Sequence, residues 1–211
     1  MKHILIHGLG QDASSWNETI SYMMDKDNII CPELSLFLKE KEASYSNLYK
    51  AFSEYCDNIS GQLNLCGLSL GAVLALNYVI DNPKKVNSLV LIAGQYEMPK
   101  TLLKLQNILF KFIPDKSFSS MGMSKNDFIK LTTSMMNLNF NEGLNNISCP
   151  VLLICGEKDT PNKKATRHLS ESMSKSEIKF IKGAKHEVNN DNPKELGEIL
   201  NDFTNRLCGA F

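Results

Sequence analysis

Six apolar runs of strand length recur along the chain, each beside turn residues: KHILIHG from Lys2, NIICPEL from Asn28, QLNLCGLS from Gln62, VNSLVLIAG from Val86, CPVLLICGE from Cys149 and EIKFIKGAKH from Glu177. Between most of them apolar residues recur at helical spacing, over 15–24, 44–59, 70–80, 163–173 and 193–207. Strand and helix in alternation predict right-handed crossovers, hence an α/β protein with a largely parallel sheet covered on both faces. Ligands of such a sheet gather at the C-terminal ends of its strands.

One interval breaks the alternation. Residues 97–146, about fifty in all, separate two strand runs where a crossover needs far fewer. The interval holds five of the nine methionines (Met98, Met121, Met123, Met135, Met136) and five of the ten phenylalanines (Phe110, Phe112, Phe118, Phe128, Phe140). Helical periodicity in LLKLQNILFKF and KNDFIKLTTSMM makes it a small helical lid inserted into a single domain spanning 1–211. Its methionines and phenylalanines either pack the lid onto the body or line a pocket for an apolar acyl or aryl group, and the pattern leaves both readings open.

Composition narrows the partners. The 211 residues suit one substantial core better than two, and 43% apolar with 22% charged residues is ordinary for a globular protein. Lys plus Arg equals Asp plus Glu at 23 each, which removes the electrostatic case for nucleic acid or an anionic membrane and favours a neutral small molecule. Six scattered cysteines without CxxC spacing read as reduced thiols. The opening MKHILIHGLG has only three consecutive apolar residues, far short of a signal peptide's roughly 7 to 15. No stretch approaches the roughly 20 apolar residues of a membrane span, so the expected compartment is the cytoplasm.

Candidate chemistry centres on Gly67-Leu68-Ser69-Leu70-Gly71, a G-x-S-x-G pattern with a strand run before it and a helical pattern after it. Such a turn holds its serine in strained geometry, needs small neighbours because strand and helix pass closely, and aims the helix's free N–H groups at a developing negative charge. A serine there can also be a plain helix cap. As a nucleophile it requires a base and a group to orient that base. Of the four histidines, His3 opens the first strand, His7 ends it before a glycine, and His168 lies in a polar helical stretch. His186 follows a late strand in the loop GAKHEVNNDNP and is the candidate base. Asp159, beyond the apolar run CPVLLICG, falls between Ser69 and His186 in the order this geometry uses, with Glu157 and Glu97 as competitors. Backbone amides complete the set. Leu70 follows the nucleophile, and Leu9 stands between Gly8 and Gly10 in the loop after the first strand, where flanking glycines let its amide turn inward.

HGLG after the first strand, GLSLG at the turn, GEKD after a late strand and GAKH before the last helix together resemble the α/β-hydrolase superfamily, over nearly the whole chain. The resemblance implies a Ser69, His186, Asp159 triad with Leu9 and Leu70 as oxyanion donors, and a cap inserted where the interval 97–146 lies. It implies no metal and no cofactor. Members of the family usually begin with an antiparallel hairpin that precedes the HG strand. The expectation here is therefore a three-layer sandwich with about six strands, mostly or fully parallel. The reaction expected is cleavage of a small uncharged carboxylic ester or thioester. A lyase, carbon–carbon hydrolase or perhydrolase using the same triad, and a non-catalytic binding protein on the same scaffold, stay open.

Overall fold

Each of the six apolar runs forms a strand in the computed structural model of the chain, which describes residues 1–119 and 122–208. Met121 therefore lies outside the described residues. The strands β1 (Lys2–Ile6), β2 (Ile29–Ile30), β3 (Leu63–Leu68), β4 (Val86–Ile92), β5 (Val151–Gly156) and β6 (Ser176–Ile181) make one sheet in the order β2-β1-β3-β4-β5-β6, and every pairing is parallel. The helices are α1 (Asn17–Ser21), α2 (Leu34–Phe37), α3 (Tyr45–Asp57), α4 (Leu70–Asp81), α5 (Lys100–Phe112), α6 (Asp115–Ser119), α7 (Lys125–Met135), α8 (Asn141–Leu144), α9 (Thr160–Ser172), α10 (Val188–Asp191) and α11 (Pro193–Cys208).

Successive strand side chains alternate between the faces of a sheet, and here both faces are apolar. Ile4, Ile6, Leu65, Leu91 and Leu153 point into a cluster shared with α3, α4 and α9. Leu5, Leu68, Val90, Ile92 and Ile154 point into a second, shared with Trp16 and α11. The result is a three-layer α/β sandwich. Nine of the twelve residues of α4 are buried, which is why this helix has apolar residues all round rather than on one stripe.

Between β4 and β5 stand α5 to α8. The two periodic stretches form α5 and α7; α6 and α8, of five and four residues, are additional. The insert is closed at its base, where Glu97 and Asn139 form an antiparallel bridge and the amide of Phe140 donates to the Tyr96 carbonyl at 2.7 Å. The helix expected over 15–24 divides into a 3-10 turn, Ala13–Trp16, and the short α1, with Asp12 capping the turn through the Ser14 amide. Helix α9 starts at Thr160, three residues before its periodic stretch, because Pro161 is well suited to the first turn. Cys31, Cys56, Cys66, Cys149 and Cys155 are free thiols. Among the described residues no helix is long and apolar enough to cross a membrane.

Candidate active site

The chain leaves β3 at Leu68 and enters α4 at Leu70, so the whole turn is Ser69. Its backbone takes φ 53° and ψ −110°, a conformation that costs a residue with a side chain about 1–3 kcal/mol. The flanking glycines are dictated by space. A Cβ on Gly67 would stand 2.2 Å from the Gly71 carbonyl oxygen, and one on Gly71 would stand 2.2 Å from that of Ile6. Ser69 holds the position before the first helical residue, where a serine ordinarily caps, yet its side chain makes no capping bond. Its Oγ lies instead 3.0 Å from His186 Nε2.

His186 lies between β6 and α10, and its Nδ1 is 2.9 Å from Asp159 Oδ2. With the Nδ1 proton donated to that carboxylate, Nε2 is the acceptor facing the Ser69 hydroxyl. Asp159 repeats the behaviour of Ser69. It precedes α9 at the capping position, makes no capping bond, and turns its carboxylate to His186 and to the Asn162 amide, whose Nδ2 donates to both carboxylate oxygens at 2.8 Å. Burial of Asp159 favours the neutral acid, but the hydrogen bonds from His186 and Asn162 outweigh it and hold the carboxyl below its ordinary value. The pair is unequal in access: the imidazole is 44% exposed and the carboxylate 4%.

The two loops meet because Gly156 lets them. A Cβ there would lie 1.9 Å from the Lys185 carbonyl oxygen, beside His186. The competing acids lie elsewhere: Glu157 accepts from the Gly183 amide at 2.8 Å, and Glu97 is an exposed residue whose backbone forms the bridge at the base of the insert.

The loop after β1 is pinned from both sides. His7 places Nδ1 2.9 Å from the Gly8 carbonyl and Nε2 3.1 Å from the Leu34 amide, so both ring nitrogens fix backbone. Gly10 takes φ 85°, which a glycine adopts without strain. Gln11 receives the Gly8 amide at 3.2 Å and pairs with the fully buried Asn189, three residues past His186, at 3.2 and 3.3 Å. Among the described residues neither the Leu9 nor the Leu70 amide donates to another protein group. His168, half-buried, stacks on the Tyr96 ring, 4.2 Å between centroids, and its Nε2 lies 3.1 Å from Asn141 Oδ1.

Leu9 and Leu70 face one apolar cleft, completed by Leu34, Leu38, Met123 and Phe128, with room for about one water molecule. Of the insert's described methionines and phenylalanines, these two line it. Phe110 and Phe118 pack edge to face on Phe128, and Met98 and Met135 lie in the core. Among the described residues no group of three or more His, Cys, Asp or Glu side chains is placed to hold a metal.

Sequence reasoning singled out the residues that approach one another at 3.0 and 2.9 Å and passed over those that hold them. Asn162, Gln11 and Asn189 carried no motif of their own, and Gly156 entered only as the first letter of GEKD with no role assigned. The signal available was an asparagine three residues past the candidate acid, on the first turn of its helix, where it returns to that acid.

No protein-family model matches the sequence, and no curated protein matches it. Solved structures do. The chain is similar to a carboxylesterase structure from the thaumarchaeon Nitrososphaera gargenis, at TM-score 0.80 and 19% identity over 100% of this chain and 92% of that one. It is similar to MenH from S. aureus, at TM-score 0.80 and 14% identity over 99% and 95%. It is also similar to MGS-M2, an alpha/beta hydrolase enzyme from a Medee basin deep-sea metagenome library, at TM-score 0.79 and 17% identity over 97% and 89%. The protein has the α/β-hydrolase fold.

Proposed function

We propose that the protein is a serine hydrolase that cleaves a small, uncharged carboxylic ester or thioester through an acyl-enzyme. The observation that carries this reading is the relay from Ser69 Oγ through His186 to Asp159, at 3.0 and 2.9 Å, built from two residues that forgo the capping bonds their positions offer. In the reading, Ser69 attacks the substrate carbonyl while His186 Nε2 takes the hydroxyl proton. Asp159, held ionised by its hydrogen bonds, orients the imidazole and stabilises the imidazolium. Negative charge on the former carbonyl oxygen is received by the Leu9 and Leu70 amides, each donor contributing roughly 3 to 4 kcal/mol to the transition state. His186 then protonates the leaving alcohol or thiol, and water activated by the same nitrogen releases the acid.

The surroundings support an uncharged, apolar acyl group. The cleft beside Leu70 is lined mostly by leucine, methionine and phenylalanine, its polar lining at His7, Gln11, Glu33 and Ser35 includes no lysine or arginine, and both arginines are engaged elsewhere, Arg167 over the Phe180 ring and Arg206 with Glu177. Since the cleft holds about one water, an entering acyl chain displaces Met123 or Phe128. In this reading the chain is one catalytic domain, the stretch 97–146 is its lid, and neither metal nor cofactor takes part. The likeness to a carboxylesterase structure points the same way. Turnover of short p-nitrophenyl esters by the wild type, with a loss on the order of 10⁴-fold or more in Ser69→Ala, is the expected result. A serine-directed fluorophosphonate should modify Ser69 alone. Equal turnover by both proteins would overturn the assignment.

A further inference from the structure

Helix α5 is built the wrong way round for a helix that only packs on its own protein. Its inner face is anchored to α7 by a polar contact and an aromatic one: the buried Asn107 bonds Thr132 and Thr133, and Phe110 meets Phe118 and Phe128 edge to face. Leu103 also packs inward against the core, and the other four aliphatic residues lie on the outer face. Leu102, Leu105, Ile108 and Leu109 are about half exposed, and Phe112 is 82% exposed. At about 100° per residue these five fall within an arc of about 120°, interrupted only by Thr101. A patch of this kind on a protein surface marks an interaction site.

Charge identifies the occupant. Along one edge of the apolar arc run Lys100, Lys104 and Lys111, within about 40° of one another. Between Lys100 and Phe112 there is no acidic residue, so the zero net charge of the whole chain, which argued against an anionic membrane, does not describe this helix. A self-association face gains nothing from a row of like charges beside its apolar centre, and two copies packed antiparallel would bring the rows together. A surface of anionic lipid uses both features: the apolar face enters the headgroup–acyl boundary while the lysines meet the headgroups. The geometry points to α5 as an interfacial anchor that lays the insert flat on anionic lipid. The inference does not depend on the hydrolase reading, since it concerns adsorption and not turnover.

Sedimentation of the full-length protein with vesicles tests it, using phosphatidylcholine alone and phosphatidylcholine carrying phosphatidylglycerol. The expected result is partition onto the phosphatidylglycerol vesicles that weakens with salt. Lys104→Gln with Lys111→Gln should lower that partition by about thirtyfold. Leu105→Asp with Leu109→Asp should lower it by at least about tenfold. Both variants should keep the wild-type melting curve, because the substituted side chains are exposed. Three results would each overturn the inference: no partition of the wild type on either vesicle, partition that both variants retain, or a concentration-dependent dimer, without vesicle binding, that Leu105→Asp with Leu109→Asp dissolves.

Discussion

Helices α4 and α5 lie on either side of β4 in the chain, twelve and thirteen residues long, and both are rich in leucine. They use that leucine in opposite ways. In α4 the apolar residues go all round because sheet and neighbouring helices surround it, and its only strained residue is the serine that starts it. In α5 most of the aliphatic side chains turn outward and a hydrogen-bonded asparagine turns inward. A helix closed in by packing is a support, and its start can hold a costly backbone conformation because everything around it resists relaxation. A helix attached along one narrow side has nothing comparable to brace, and its free face is available for contact.

That contrast can be broken at three points. The largest effect is expected in α4. Gly71→Ala drives a Cβ into the Ile6 carbonyl and should cost at least about 3 kcal/mol in chemical denaturation, with ester turnover falling further than the folded fraction. A loss below 1 kcal/mol, about the cost of an ordinary surface change, would mean that the turn is not sterically fixed. A middle effect belongs to the inner side of α5. Asn107→Ala removes the partner of the Thr132 and Thr133 hydroxyls and should cost about 1–3 kcal/mol, seen first as faster proteolysis between β4 and β5 while the body stays protected. Cleavage spread evenly over the chain would show that insert and body open together. The smallest effect lies on the outer side. Leu105→Gln or Leu109→Gln should move thermal stability by no more than about 0.5 kcal/mol, and a larger loss would place those side chains in contact with protein.

The two helices also mark what was legible in the sequence. The four inner strands, buried on both faces, are nearly continuous apolar runs and were recognisable as such, the edge strands β2 and β6 were found from shorter runs, and the long helices announced themselves by period. Helical periodicity located α5 but did not say which of its faces is covered, because Leu103 and Phe110 differ from Leu102 and Leu109 only in what packs on them. Helices of four or five residues, such as α2, α6, α8 and α10, span about one turn and show no period at all. At the candidate site, the glycine spacing around Ser69 and the order of Asp159 and His186 were readable because steric and chemical demands leave few residue types. Asn162 was not, since an asparagine in a first turn is ordinarily a local feature and here binds an acid that serves a residue 24 positions away. Gly156 was visible only as the opening of GEKD, whereas its reason is the approach of Lys185 from a loop far along the chain.

The Gln11–Asn189 pair spans 178 positions, almost the whole chain. It joins the loop carrying the Leu9 amide to the segment that presents His186. On a ribosome the turn at Ser69 emerges with its neighbouring strands long before His186 is made. In the proposed reading the growing chain therefore carries an unactivated serine until Asp159 and His186 arrive, and only with that segment does the Leu9 loop gain its contact with Asn189. Reactivity toward a serine-directed reagent should therefore appear late in synthesis and all at once, which makes the finished site a record of the chain having closed on itself.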